Sequence, residues 1–392
     1  MSSASPQILI VAAEASSSLY ARRLLEHWRR RKFDIKAFGV GDSSMQTLGF
    51  EIVGRSEDMA VVGLLEVLRH LRAIRRIMIQ LIQMAVQRRP AVALLLDYPD
   101  FNFRLAKKLK ALGVPVVYYI SPQIWAWRRG RIKLVQKYVD KMLVVLPFEK
   151  DFYYAHGVNV EFVGHPLLDE LNPDWFDKDA SRLARAAFGL PENRQILGLM
   201  PGSRHGEIHH HLSLQLEVCR QLQQKYQDLH FVFMIAPSLS VEEINTKIVQ
   251  AKLPETISYS IIKDNPMWMA QVADVMLVVS GTATLMVGLM EKPMVIIYRV
   301  NPISAFIGQR LVKVRFFGLP NLILNRKVVP ELKQSQATVA EILSHLCPML
   351  ESADVRTEIR QALAQLKISL GQSGATRRVA NQLETYFTRV SQ

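Results

Sequence analysis

The sequence has few cysteines and no long apolar stretch. Cys219 and Cys347 are its only cysteines among 392 residues, too few and too far apart for a disulfide framework or a cysteine metal site. The longest uncharged stretch, Val275–Met290, is interrupted by a polar Ser-Gly-Thr segment and is a poor membrane span. The amino-terminal residues lack the basic cluster and long apolar core of a signal peptide. We therefore expect a soluble, cytoplasmic chain.

The charge is unbalanced toward the basic side, with a net charge of +14 at pH 7. Such a surface attracts nucleic acid, anionic lipid or phosphorylated small molecules. No zinc-finger, RNP or helix-turn-helix signature accompanies the charge, so we expect no nucleic-acid partner.

Two basic and apolar segments favour an anionic membrane as the partner. Val61–Met84 places apolar residues at helical spacing, with Arg69, Arg72 and Arg76 on a neighbouring face. A helix lying on a membrane has this pattern, and so has a helix that packs on its own domain with solvated arginines. The second segment, Ile303–Phe317, carries Arg310 and Arg315 among aromatic residues. We expect a peripheral protein at the cytoplasmic membrane face.

Short β-rich runs alternate with helix-length segments, which predicts βαβ units and parallel sheets. A polar stretch at 165–180 breaks the alternation. We therefore predict an α/β protein with two Rossmann-like doubly wound domains, 1–168 and 169–350, facing a cleft. The helical tail 351–392 is expected to pack on the first domain or on a partner subunit, as in a homodimer. The predicted strands are Gln7–Ala12, Ile35–Val40, Ala91–Leu96, Val114–Ile120, Met142–Leu146, Val160–Val163, Gln195–Met200, Leu229–Ile235, Tyr259–Ile262, Val275–Val279 and Met294–Tyr298.

Two of these runs, Gln195–Met200 and Val275–Val279, end in glycine-containing turns. The exposed amides of a strand-to-helix turn attract phosphate oxygens, and an arginine can meet a diphosphate through two parallel hydrogen bonds. Two such turns in one half predict a nucleotide diphosphate site, although each alone is equally typical of an ordinary turn. The residues are Gly202, Ser203, Arg204, Ser280, Gly281 and Thr282.

A third strand end carries carboxylates. Ala91–Leu96 is followed by Asp97, Asp100 and Asn102, all expected at the carboxyl edge of the first sheet, where doubly wound domains bind ligands. A partly desolvated carboxylate there can act as a general base toward a hydroxyl. We assign that role to Asp97, and the capping of the next helix to Asp100 or Asn102.

These segments resemble those of the lipid-A-disaccharide synthase family, in order and spacing, from about Ile8 to about Gln334. The motifs are Leu96-Asp97-Tyr98-Pro99-Asp100-Phe101-Asn102, Ser121-Pro122-Gln123-Ile124-Trp125-Ala126-Trp127-Arg128, Leu146-Pro147-Phe148-Glu149-Lys150, Val163-Gly164-His165-Pro166, Pro201-Gly202-Ser203-Arg204, Ser280-Gly281-Thr282-Ala283-Thr284 and Leu319-Pro320-Asn321-Leu322.

The resemblance implies a GT-B glycosyltransferase that needs no cofactor. Its expected donor is a UDP-linked diacylglucosamine and its acceptor a lipid-linked diacylglucosamine 1-phosphate, with inversion at the anomeric carbon and release of UDP. By resemblance, Asp97 is required for catalysis, Arg204 holds the diphosphate, and Ser280, Gly281 and Thr282 form the anion-binding turn. Asn321, Glu331 and Gln334 are expected to line the donor pocket, and Glu14 and Ser16 to belong to an acceptor-side loop.

Two departures from the family pattern bear on activity. The amino-terminal loop normally reads Gly-Glu-x-Ser-Gly-Asp, whereas this chain has Ala13 in place of the first glycine and Ser17 and Ser18 in place of the last two residues, so close approach to a ligand is expected to be harder. Met286 stands where the family carries a glutamate, a position that commonly grips the ribose hydroxyls. Loss of that acceptor is expected to weaken donor binding about 10- to 150-fold.

Two other clusters are expected to be structural. His205, His209, His210 and His211 include an i,i+4 pair, but no carboxylate completes a zinc-binding pattern, so we expect no metal. Trp125 and Trp127 are expected to pack at a domain face.

Two alternatives to the transferase stay open. A UDP-sugar epimerase has the same two-domain architecture but would act on a soluble sugar. A non-catalytic, membrane-bound or lipid-binding paralogue would explain Ser18 and Met286.

Overall fold

The computed structural model describes residues 5–59, 64–126, 128–237, 239–300 and 315–388, without the side chains of residues 15, 64–71 and 205. The chain forms two compact units. The first comprises Met1–Glu170 and Leu370–Gln392, and the second comprises Leu171–Ser369. The predicted tail 351–392 is thus divided between the two units.

The first unit is built on a seven-stranded sheet with the order β3-β2-β1-β4-β5-β6-β7. All of its strand pairs are parallel. Its elements are β1 Gln7–Ala12, α1 Ala15–Arg30, β2 Lys36–Gly41, α2 Ser43–Gln46, β3 Glu51–Arg55, α3 Leu64–Arg88, β4 Val92–Leu96, α4 Pro99–Ala111, β5 Val116–Tyr119, α5 Ile132–Tyr138, β6 Lys141–Val144, α6 Pro147–Tyr154 and β7 Val160–Phe162.

The second unit is built on a six-stranded parallel sheet with the order β10-β9-β8-β11-β12-β13. Its elements are α7 Ala180–Ala187, β8 Ile196–Met200, α8 His205–Lys225, β9 His230–Met234, α9 Val241–Gln250, β10 Tyr259–Ile262, α10 Pro266–Ala270, β11 Val275–Val279, α11 Thr282–Leu289, β12 Met294–Tyr298, α12 Leu319–Leu324, β13 Glu331–Lys333, α13 Val339–Glu351 and α14 Ala353–Ser369.

Both sheets have their central strands buried on both faces, because helices cover each side of a doubly wound sheet. Every residue of β4 and of β8 is buried. This burial explains why the central strands read as continuous apolar runs rather than as an alternating pattern.

All eleven predicted strands are present, and two further strands, β3 and β13, were not predicted. Both are short edge strands, and their sequences Glu-Ile-Val-Gly-Arg and Glu-Leu-Lys carry charges at the ends. An edge strand needs little apolar surface because one side is solvated. Neither segment therefore shows the apolar run by which the other strands were recognised.

The last helix, α15 Ala375–Phe387, returns to the first unit. Glu384 accepts hydrogen bonds from the Trp28 indole at 3.0 Å and from Arg31 at 2.6 Å, both close to the end of α1. At the other end of α15, the Asp169 carboxylate accepts from the amides of Ala375 and Thr376 at 3.2 and 3.0 Å. A carboxylate at a helix amino terminus satisfies amides that have no partner within the helix.

The apolar face of helix α3 packs on its own domain, which is the second of the two arrangements that the sequence allowed for this segment. In its described half, Ile77 and Leu81 are buried in the core of the first unit, and Ile74 and Met78 pack against that core. The apolar stripe therefore faces the protein's own domain. The arginines on the other face, including Arg72 and Arg76, are exposed.

Three of the predicted membrane residues are described and two are not. Arg315 is exposed and lies 5.1 Å from the ring centre of Phe316. The side chain of Arg69, and Arg310 with the rest of residues 301–314, lie outside the described residues. Within the ranges given above, no helix is long and apolar enough to cross a membrane.

Candidate functional site

Each sheet reverses its strand order at one place, between β1 and β4 in the first unit and between β8 and β11 in the second. Ala12 pairs with Leu96 at the first reversal, and Met200 pairs with Val278 at the second. The loops that follow these strands diverge to opposite faces of the sheet and leave a crevice at its carboxyl edge. The sequence-predicted residues from Glu14 to Ser16, at Asp97, from Gly202 to Arg204 and from Ser280 to Thr282 lie on these four loops or in the first turn of the helices that follow them.

The loop between β4 and α4 is conformationally strained. Asp97 and Tyr98 both have left-handed main-chain conformations, with φ of 46° and 42°. For residues other than glycine, each such conformation costs on the order of 1–3 kcal/mol, and it persists only where neighbouring groups hold it. Strain of this kind is found most often at functional sites.

Asn102 holds this loop rather than capping the helix. Its buried side-chain amide donates to the main-chain oxygens of Asp97 and Leu96 at 2.6 and 3.1 Å. Asp100 forms ion pairs with Arg131 and, at 3.7 Å, with Arg128. The capping role predicted for Asp100 or Asn102 is therefore wrong, because Tyr98, which precedes α4, adopts the left-handed conformation and no side chain caps the helix.

The loop between β1 and α1 uses its serine hydroxyls internally. Ser17 Oγ accepts from the Glu14 amide at 3.3 Å, and Ser18 Oγ donates to the Ala12 carbonyl at 3.2 Å. Ser17 and Ser18 are buried, whereas Ser16 is exposed. The residues that replace the family's Gly-Asp pair thus bond to their own loop and point away from solvent.

In the turn after β8, the carboxylate of Glu207 occupies the main-chain amides. Glu207 Oε2 accepts from the amides of Ser203 and Arg204 at 2.9 and 3.3 Å. Gly202 has a φ of 120°, and a Cβ there would lie 2.7 Å from Glu207 Cβ. The amides that the sequence analysis offered to phosphate are therefore occupied by a carboxylate. The Arg204 side chain remains 64% exposed, with Nη1 3.9 Å from Glu207 Oε1.

The turn after β11 is open by comparison. Gly281 and Thr282 are exposed, and the amides of 281–283 make no hydrogen bond to any described residue. Ser280 Oγ donates to the Phe317 carbonyl at 3.3 Å, and Thr284 Oγ1 donates to the Gly281 carbonyl at 2.8 Å. The start of α11 therefore offers free donors at its positive end. Met286, one turn further on, is half-buried.

Asn321 holds the main chain around α12. It is fully buried, its oxygen accepts from the amides of Val328 and Val329 at 2.7 and 3.0 Å, and its nitrogen donates to the Val329 carbonyl and to Glu331. With both polar atoms of its side chain bonded inside the protein, Asn321 holds the shape of this loop.

Glu331 and Gln334 also bind main chain. Glu331 accepts from the amides of Phe317 and Gly318 at 3.0 and 3.1 Å, and its partial burial raises its pKa. Gln334 exchanges two hydrogen bonds with Val300, at 3.1 and 3.3 Å. Both side chains thus connect the segments that flank residues 301–314.

His211 serves as a structural group. The Arg299 amide donates to Nε2 at 2.8 Å, so Nδ1 carries the proton and donates to the Glu207 carbonyl at 2.7 Å. Burial lowers the pKa of His211 and keeps it neutral. Among the described residues, no group of three or more histidine, cysteine, aspartate or glutamate side chains is arranged to hold a metal.

Glu149 belongs to one of the family-like motifs, but the sequence analysis assigned it no role. It lies at the start of α6, which follows β6 at the carboxyl edge of the first sheet, and only 2% of it is exposed. Its carboxylate accepts from the Trp125 indole at 3.0 Å and from the Leu146 amide at 3.2 Å. Trp125 packs edge-on against Phe148 at 4.8 Å and is buried, while Trp127 lies outside the described residues. Two motifs of the family resemblance therefore meet in one buried hydrogen bond.

Burial raises the pKa of Glu149 from 4.5 to about 7, which predicts a pH-dependent stability. The folded state holds the proton more tightly than the unfolded state, so this contribution is full below pH 4.5 and is lost as the pH rises through 7. In Glu149→Gln the titration is absent. We expect the unfolding free energy of wild type to fall relative to that of Glu149→Gln by about 3 kcal/mol between pH 4.5 and 8, measured by urea unfolding.

The exposed Glu57 supplies the control for this measurement. Glu57→Gln should follow the wild-type pH curve. Parallel curves for wild type and Glu149→Gln would show that the carboxyl group is not held in its neutral form.

The fold has counterparts among solved structures. UDP-GlcNAc 2-epimerase from Neisseria meningitidis, bound to UDP-GlcNAc, aligns with a TM-score of 0.65 at 12% identity, over 97% of this chain and all of that one. The calicheamicin glycosyltransferase CalG4 aligns with a TM-score of 0.57 at 16% identity, over the full length of both chains. At these identities the likeness shows the fold alone.

The sequence relatives are more specific. The lipid-A-disaccharide synthase of Geobacter sulfurreducens is 40% identical over 376 residues, 96% of each chain. The one of Myxococcus xanthus is 38% identical over 387 residues, 96% of this chain and 97% of that one. The model of the family described as Lipid-A-disaccharide synthetase matches residues 8–386. The chain therefore belongs to the lipid-A-disaccharide synthase family of glycosyltransferases.

Proposed function

We propose that this protein transfers an acylated glucosamine from a UDP-linked donor to a lipid-linked glucosamine phosphate, with inversion at the anomeric carbon. Family membership supports the reaction class. One observation supports the assignment of residues. Asp97 stands on a strained main chain at the reversal of the first sheet, and the reversal of the second sheet carries the exposed Arg204 and the open amides at the start of α11.

In the proposed step, Asp97 accepts the proton of the acceptor hydroxyl. The hydroxyl oxygen then forms a bond to the anomeric carbon of the donor, and the bond from that carbon to the diphosphate breaks. The electron pair leaves with UDP. A single displacement from the face opposite the leaving group inverts the anomeric configuration.

The leaving diphosphate is proposed to bind to Arg204 and to the start of α11. A guanidinium meets phosphate oxygens through two parallel hydrogen bonds, and helix amides stabilise the same charge without rearrangement. The open turn at Gly281 and Thr282 fits this role better than the turn at Ser203, whose amide already binds Glu207. The UDP-sugar in the epimerase of the same fold agrees with a UDP-linked donor.

Replacement of Asp97 tests the reaction. We expect Asp97→Asn to fold normally and to lower turnover by about 10²- to 10⁴-fold, the range for loss of a general base. The measurement is UDP release from UDP-diacylglucosamine and diacylglucosamine 1-phosphate. Asp100→Asn is the matched control, an exposed carboxylate paired with arginines, and should keep its turnover. Normal turnover of a folded Asp97→Asn would remove Asp97 from the mechanism.

Substitution of Met286 tests whether the donor site binds UDP as the family pattern implies. A thioether accepts only a weak hydrogen bond, so the wild type should discriminate poorly between UDP and 2′-deoxy-UDP. The carboxylate of Glu331 already accepts from the amides of Phe317 and Gly318 and from Asn321, so we expect it to contribute little to ribose binding. We expect Met286→Glu to tighten UDP binding about tenfold, by about 1.4 kcal/mol, in calorimetry.

Met286→Leu is the control for size and should leave UDP affinity unchanged. A wild type that already selects UDP over the deoxy form would contradict our assignment of this position. Binding of UDP to neither wild type nor Met286→Glu would favour the non-catalytic alternative.

We further propose that the protein works at the inner face of the cytoplasmic membrane, bound through its arginines. The support is the exposure of Arg72, Arg76 and Arg315, together with Ile79, which is 46% exposed on α3. Apart from the exposed Val86, the other apolar residues of the described part of α3 are buried or partly buried, so the attraction is proposed to be mainly electrostatic.

Vesicle co-sedimentation tests this proposal. Glutamine at Arg72, Arg76 and Arg315 together should weaken binding to anionic vesicles by about 1 kcal/mol per residue, about 150-fold in all, and salt should weaken binding of the wild type. A charge-matched control replaces the exposed Arg29, Arg30 and Lys32 by glutamine. Equal loss in both triple variants would show that the binding depends on general charge and not on these three positions.

A further inference from the structure

Two buried polar side chains that take no part in the proposed transfer donate hydrogen bonds to the main chain at Asp97. Asn102, on α4, donates from Nδ2 to the Asp97 carbonyl at 2.6 Å, and Tyr118, on β5, donates from its hydroxyl to the same oxygen. Both side chains have no exposed surface. Two elements thus converge on one carbonyl group.

That carbonyl joins two residues in the left-handed conformation, Asp97 and Tyr98. A carbonyl turned into a buried position needs a donor there, because an unpaired one is costly. Without these donors, the main chain is free to relax to more favourable φ values. Such a relaxation rotates the Cα–Cβ bond of Asp97 and moves its carboxylate.

The strand and helix themselves do not require this arrangement. β4 is held by its pairing to β1 and β5, and α4 begins with Pro99, a residue suited to a first helical turn. The hydroxyl of Tyr98 is bound separately, to the Met59 carbonyl at 2.8 Å. What Asn102 and Tyr118 determine is therefore the local orientation of Asp97.

We propose that Asn102 and Tyr118 are positioning residues, which hold the left-handed main chain that aims the Asp97 carboxylate at the acceptor hydroxyl. The inference rests on the proposed function, in which Asp97 is the base. Neither residue touches the reacting atoms. Their effect is on turnover, because a catalytic group misplaced by about 1 Å loses about 10²-fold in rate.

Single substitutions in the full-length protein measure this effect. Tyr118→Phe removes one hydroxyl without changing shape, and Asn102→Ala removes the amide. We expect kcat to fall about 10- to 100-fold while the KM values of both substrates stay within about twofold. Tyr119→Phe is the matched control. Tyr119 is the next residue of β5 and is also buried, but its side chain points to the opposite face, so its kcat should be unchanged.

The same substitution in the Asp97→Asn background separates positioning from a general structural role. If Tyr118 acts through the Asp97 carboxylate, Tyr118→Phe should lower kcat no further once that carboxylate is gone. An equal fold-loss in both backgrounds would overturn the inference, and so would a kcat of Tyr118→Phe within twofold of wild type. If Asn102→Ala does not fold, Tyr118→Phe decides alone.

The role of Asp97 as the base and the positioning by Asn102 and Tyr118 are contradicted by different results. Normal turnover of Asp97→Asn would refute the proposed base before the positioning residues are considered. Loss of turnover in Asp97→Asn, with normal turnover in folded Tyr118→Phe and Asn102→Ala, would leave the base in place and refute only the positioning.

Discussion

The parallel arrangement of every strand is the constraint on which the candidate site depends. Parallel strands bring all their carboxyl ends to one edge, and the reversal of strand order opens a gap there that helices do not cover. In this chain the gap lies beside Asp97 in one sheet and between the loops of Arg204 and Gly281 in the other. Within each unit, loops that are far apart in sequence thus lie side by side at the sheet edge, because the strands before them are paired.

The two glycine-containing turns of the second unit show why a motif does not determine a binding site. Both end a buried strand and start a helix. In one of them, Glu207 reaches back to the amides of Ser203 and Arg204 and supplies the negative charge from within the chain. In the other, no acidic side chain follows in the first turn of α11, so its amides remain available. The difference arises from one residue, three positions after Arg204.

Much of the fold could be predicted from the sequence, because a strand buried on both faces must be continuously apolar. The edge strands β3 and β13 escaped this signal. The sequence predicts Asp97 and Arg204 as site residues because their charges follow strand ends, but it does not indicate what Asn102 and Glu149 do. Their roles depend on main-chain oxygens and on an indole 24 residues away, contacts that only the folded chain creates. Local patterns were likewise unable to tell that the stripe of α3 faces its own core.

The departures from the family pattern and the retained motifs affect different kinds of contact. Asn102 and Asn321 lie in motifs that carry the resemblance, and both make hydrogen bonds within the protein, mainly to its own main chain. Met286 instead lies on the helix proposed to receive the donor, where a change alters contact with ligand more than it alters the fold. Ser18 donates to the carbonyl of Ala12, the last residue of β1. A chain that changes ligand contacts while it keeps the main-chain supports can keep the catalytic geometry and still differ in how tightly it binds, or in which nucleotide sugar it accepts.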